Sequence, residues 1–103
     1  MESPFICDLM VMDTEQRERH RVVAQHLHSA IQEVQELPDG YAFRFSAEPS
    51  TVLLAAEFIT LERLCCPFLT MTLEVERERG PLWLKLTGRA GVKPFLRAEL
   101  GLE

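Results

Sequence analysis

Apolar and polar positions alternate with a changing period along this chain, and each change marks an element. Phe5 to Met12 is apolar apart from Cys7 and Asp8, and it reads as a first strand with Phe5, Cys7, Leu9 and Val11 on one face. Asp13 or Thr14 then stands where an N-cap belongs, and Gln16, three residues after Asp13, completes a capping box. The period becomes helical to about Ile31, with Val23, Ala24, Leu27 and Ile31 as the core stripe.

Two strands are predicted next, near 33–37 and 41–46. Pro38-Asp39-Gly40 supplies the turn between them: proline presets φ and glycine accepts positive φ. Tyr41, Phe43 and Phe45 alternate with Ala42 and Arg44, the mark of a strand with one buried face. A second helix starts after Pro49-Ser50 and runs to Cys66, where Pro67 stops it because the residue before a proline disfavours the α region.

A second hairpin pairs Leu69, Met71, Leu73 and Val75 with Leu82, Leu84 and Leu86, and Gly80-Pro81 ends its connection. The last helix spans roughly 91–100, with Phe95, Leu96 and Leu100 inward, Pro94 tolerated in its first turn and Gly101 as its stop. The order β-α-β-β-α-β-β-α with short hairpin links predicts a single two-layer α+β domain over residues 1–103. In it one antiparallel sheet carries the helices on one face. Trp83 alternates with Leu82 and Leu84, so it points to the other face, where a large aromatic suggests a covering partner such as a second subunit.

Composition adds limits. The chain has 103 residues, 47% apolar and 26% charged, an ordinary globular balance. A net charge of −5 opposes nucleic-acid binding, which needs a basic surface. No apolar run approaches the roughly 20 residues of a membrane span, and the Met1-Glu2-Ser3-Pro4 start lacks the features of a signal peptide, so a cytoplasmic protein without a membrane partner is expected. Three cysteines cannot all pair within one chain, and thiols are the expected state in a reducing compartment.

Candidate chemistry concentrates around Glu62-Arg63-Leu64-Cys65-Cys66-Pro67-Phe68. On a helical projection Leu54, Phe58, Leu61 and Cys65 form one stripe, and Ala55, Ile59 and Cys66 a neighbouring one. Glu62 falls between them, three residues before one thiol and four before the other, so it reaches either. A carboxylate on an apolar arc needs a partner, a proton or a metal. His20 sits likewise on the core stripe of the first helix, whereas His26 and His28 lie outside it. If both helices pack on the same sheet face, His20 meets Glu62, and Cys7 joins them from the strand beneath.

The constellation Cys7, His20, Glu62, Cys65 and Cys66 suits a soft ion: zinc, copper(I) or mercury. The same residues also admit plainer readings. Cys65 and Cys7 fit as packing residues, since free cysteine is among the most buried types, and His20 and Glu62 satisfy each other as a buried polar pair. Cys66, nearer the edge of the arc, is the better placed reactive thiol. Its position at a helix C-terminus opposes a thiolate, because the macrodipole there is negative. Metal binding escapes that objection, since the ion itself deprotonates the thiols.

Three stretches carry a resemblance: Glu36 to Phe45, Leu61 to Leu69 with its Cys-Cys-Pro-Phe core, and Gly80 to Gly88. Together they resemble a family of small bacterial proteins of about this length that has no established activity. The likeness runs from Ile6-Cys7-Asp8-Leu9 to the last helix. It implies a free-standing bacterial cytosolic protein and an association with heavy-metal handling, and it carries over no catalytic residue. Three functions stay open on the residues. The first is soft-metal binding through Cys65 and Cys66 with Glu62, His20 and Cys7. The second is a structural module that forms a homodimer or binds a protein partner through the Trp83 face. The third is a small enzyme with Cys66 as nucleophile and His20 as base.

Overall fold

Asp13 starts the first long helix as its spacing to Gln16 predicts. The computed structural model describes residues 2–102. In it the Asp13 carboxylate accepts from the Gln16 backbone N–H at 2.8 Å, and the Gln16 side chain accepts from the Asp13 N–H at 3.0 Å. The described elements are α1 (Thr14–Ala30), β1 (Glu33–Leu37), β2 (Gly40–Phe45), α2 (Pro49–Cys65), β3 (Thr70–Val75), β4 (Leu82–Thr87) and α3 (Val92–Leu100). The four strands form one sheet in the order β1-β2-β4-β3, and every adjacent pair is antiparallel. The expected two-layer α+β fold is therefore present.

Register explains why the helices lie on one face. Phe43 pairs with Leu84, and Leu84 with Leu73, so apolar side chains line up across the sheet. Tyr41, Phe45, Leu82 and Leu86 extend that row into a continuous apolar surface. Val23 and Leu27 of α1, Ala55 and Phe58 of α2, and Val92 and Leu96 of α3 close over it. Each large apolar side chain buried there contributes about 1.5–3 kcal/mol relative to its exposed state. Gly40 permits the central pairing: a Cβ at that position would stand 2.0 Å from the Leu86 carbonyl oxygen, so any side chain would push β2 off β4.

The segment expected to be a first strand is not one. The Asp8 side chain accepts from the Met10 N–H at 3.1 Å, a local turn that competes with extended pairing, and Leu9–Val11 forms a 3-10 turn. The apolar alternation breaks there: Phe5 and Cys7 stay half-buried, Leu9 and Val11 are exposed, and Met12 is buried instead. The segment lies across the end of α2 as a strap. It is held by the Asp8 N–H to the Cys65 carbonyl at 3.0 Å and by Arg89, which bonds Glu2 and the Ser3 carbonyl.

Trp83 lies on the face that its alternation with Leu82 and Leu84 predicts. It lies on the sheet face away from the helices, opposite Arg44 and Glu74, yet retains only 9% exposure within the single chain and donates its indole N–H to Glu76 at 3.0 Å. The β3–β4 turn holds the strained backbone of the fold. Glu78 and Arg79 have φ of 61° and 56°, and the Gly80 N–H bonds the Arg77 carbonyl at 3.1 Å, the signature of a two-residue hairpin turn that favours Asn-Gly. The double substitution Glu78→Asn/Arg79→Gly is expected to stabilise the protein by about 1–2 kcal/mol, read as a higher Tm in thermal unfolding. An unchanged or lower Tm would show that the left-handed pair costs nothing here.

Candidate metal centre

The end of α2 builds the site. Adjacent residues on a continuous helix point about 100° apart. Pro67 prevents that continuation: Cys66 takes φ −129° and ψ 66°, outside the helical region, while its N–H still bonds the Glu62 carbonyl at 2.8 Å. This re-aims the second side chain toward the first, and the two Sγ atoms stand 3.9 Å apart. Both cysteines are 1% exposed and pack with Met12 and Leu61 in a small apolar cluster beside the main core.

Cys7 arrives from the strap and Glu62 from one turn back along α2. One ligand atom from each of Cys7, Glu62, Cys65 and Cys66 lies within 4.8 Å of all the others. His20 crosses from α1, where its ring stacks on Phe58 with centroids 6.0 Å apart. Its Nε2 is 2.7 Å from Glu62 Oε2 and 4.0 Å from Cys65 Sγ, so one N–H is shared between a carboxylate and a sulfur. All five residues anticipated for the site thus converge. Cys7 reaches it from a turn segment, not from a strand beneath the helices. His26 is exposed, as expected, and His28, placed near the edge of the stripe, is exposed too.

The charges sort in a way the helix dipole alone does not predict. Cys65 is held down at about 5, first by the Cys66 thiol donating to it and then by His20, against the opposing effects of burial and the Glu62 charge. His20 is held up at about 10 by Cys65 and Glu62 together. Cys7 is pushed up to about 12, chiefly by burial. Cys66 is also pushed up, because its proton is committed to Cys65 and because it is buried. The thiol of the cluster that ionises most readily is therefore Cys65, not Cys66. Two local donors outweigh a macrodipole effect typically worth about 0.3–1 kcal/mol.

This arrangement offers a soft ion three sulfurs and a carboxylate. Zinc–thiolate bonds of about 2.3 Å place tetrahedral sulfurs about 3.8 Å apart, close to the separation of the vicinal pair. Two contributors lay outside the sequence reading. Met12 packs the cysteines from the strap, and a cleft of about 120 Å³ reaches Cys7, His20 and Glu62 from the side of α3. Met12 stands just before the Asp13 cap, but the apolar partner that would mark a staple is absent, since Arg17 holds the fourth helical position, so no local pattern announces its packing on α2.

No protein-family model, curated protein or solved structure matches the chain. Among the described residues no helix is long and apolar enough to cross a membrane.

Proposed function

We propose that this protein binds a soft metal ion and senses, buffers or hands it on, with Cys7, Cys65, Cys66 and Glu62 as ligands and His20 orienting Glu62. The observation that carries the reading is the convergence of three sulfurs and a carboxylate oxygen within 4.8 Å of one another, with the vicinal sulfurs 3.9 Å apart. Thiolate donors select zinc, copper(I) and mercury over hard cations. The imidazole–carboxylate contact is the kind of supporting bond that orients a ligand.

A second reading has its own observation. Both vicinal cysteines are almost fully buried against Met12 and Leu61, which suits packing residues. Titration of the reduced, metal-free protein with Zn(II), Cu(I) and Hg(II), followed by native mass spectrometry, separates the two. Mercury binds nearly any thiol, so the informative result is one ion per chain with an affinity that falls about 10–100-fold in His20→Ala, which loses a supporting contact, and further in Glu62→Gln, which loses a ligand. Equal affinity in both variants, or no binding beyond that of a simple thiol, would leave the cysteines as core.

A further inference from the structure

The cleft beside the cysteines has a divided lining. Its lining takes in Cys7, His20 and Glu62; the rest is apolar, Phe58, Leu69, Phe95, Leu96 and Leu100 among it, apart from the exposed Glu99. A bare or hydrated metal ion has no use for such a wall, because it gains nothing from apolar surface. The volume of about 120 Å³ is close to that of an apolar cavity of about 150 Å³ that takes up benzene. Phe95 is fixed edge-on against Phe68, with ring centroids 5.0 Å apart, so that side of the wall is preformed.

We infer that the site takes a thiophilic centre that still bears one apolar organic substituent, with the centre on the sulfurs and the substituent in the cleft. This deepens the soft-metal reading and rests on it. An aryl-arsenic(III) species is the matching chemistry. Its dihydroxide form loses two waters as two As–S bonds replace two As–OH bonds, one to Cys7 at the cleft wall and one to Cys65. The Cys7 thiol proton leaves with one hydroxide, the His20 imidazolium beside Cys65 protonates the other, the As–C bond stays intact, and arsenic remains trivalent. The substituent then extends from arsenic along the apolar wall.

The test compares phenyl- and methyl-arsenic(III) on the reduced protein, each normalised to its binding to dithiothreitol, so that intrinsic As–S differences cancel. The expected result is a phenyl preference of at least ~10-fold over the free dithiol, from the extra apolar surface buried. Leu100→Trp, which fills the cleft from the last turn of α3, is expected to bring that preference down to the dithiol value. Where circular dichroism shows that this variant is unfolded, Leu100→Phe serves in its place. A wild-type preference equal to that of dithiothreitol would overturn the inference, and so would a preference unchanged in the filled variant. If Zn(II) or Hg(II) still binds one per chain with an affinity that falls in His20→Ala and Glu62→Gln, only this inference fails. If neither ion nor arsenical binds beyond a simple thiol, the soft-metal reading fails with it.

Discussion

Cys66→Ser is expected to lower Zn(II) or Hg(II) affinity by more than the ~10–100-fold that loss of an outer supporting contact costs, because a sulfur donor itself is removed. A serine hydroxyl is hard and does not ionise near neutral pH, so it cannot replace a thiolate on a soft ion. The substitution also removes the thiol that donates to Cys65, and with it the first cause of the lowered Cys65 pKa. Metal-free stability should fall as well, by about 1–3 kcal/mol, since a hydroxyl enters an apolar pocket beside Met12 and Leu61. Cys66→Ala separates these effects: it avoids the buried hydroxyl yet still lacks the ligand. Competition titration and denaturant unfolding on both variants give the decision. Loss of binding in both, with the larger destabilisation confined to serine, supports a metal site. A stability loss without any change in affinity would return Cys66 to the core.

The hydrophobic pattern makes the layers legible, because sheet and helix periods are properties of short segments. Tyr41, Phe43 and Phe45 declare their strand, Asp13 and Gln16 declare the start of α1, and Pro67 declares the end of α2. The same periodicity placed His20 and Glu62 on facing apolar stripes, and they meet at 2.7 Å. What failed was competition between local and extended hydrogen bonding. Asp8 turns the chain at Met10, and no alternation of apolar residues records that choice. The low exposure of Trp83 within the single chain was not legible either, since it involves Glu76 of its own hairpin, seven residues away. The sorting of charge among three thiols was also beyond reach. It depends on which sulfur lies between Cys66 and His20, a distance question that helix projection leaves open.

The metal-free, reduced protein should be most stable on a plateau between about pH 6.5 and 9.0, and the plateau has two opposing sources. The folded-state pKa of His20 is raised from 6.5 to about 10, so its contribution is complete below 6.5 and is lost as pH rises through about 10. Cys65 is depressed from 9.0 to about 5, so its contribution is complete above 9.0 and is lost as pH falls through about 5. Between 6.5 and 9.0 one rises as the other declines. Above 9.0 the raised pKa of Cys7 adds to the loss, because the unfolded thiol ionises first. His20→Leu removes the declining partner, so stability in that variant should climb steadily up to about 9.0. It also strands Glu62 in a site where both side chains are only 13–15% exposed, at a cost of about 2–3 kcal/mol, below the full range for a completely buried pair. His20→Leu/Glu62→Leu should recover most of that, since an apolar pair replaces an ion pair of similar volume. Urea unfolding of the three proteins from pH 5 to 10 measures all of this. A wild-type profile that rises through the whole range to 9.0, matching His20→Leu, would mean that the imidazolium does not face the thiolate, and the charge arrangement assigned to the site would fall.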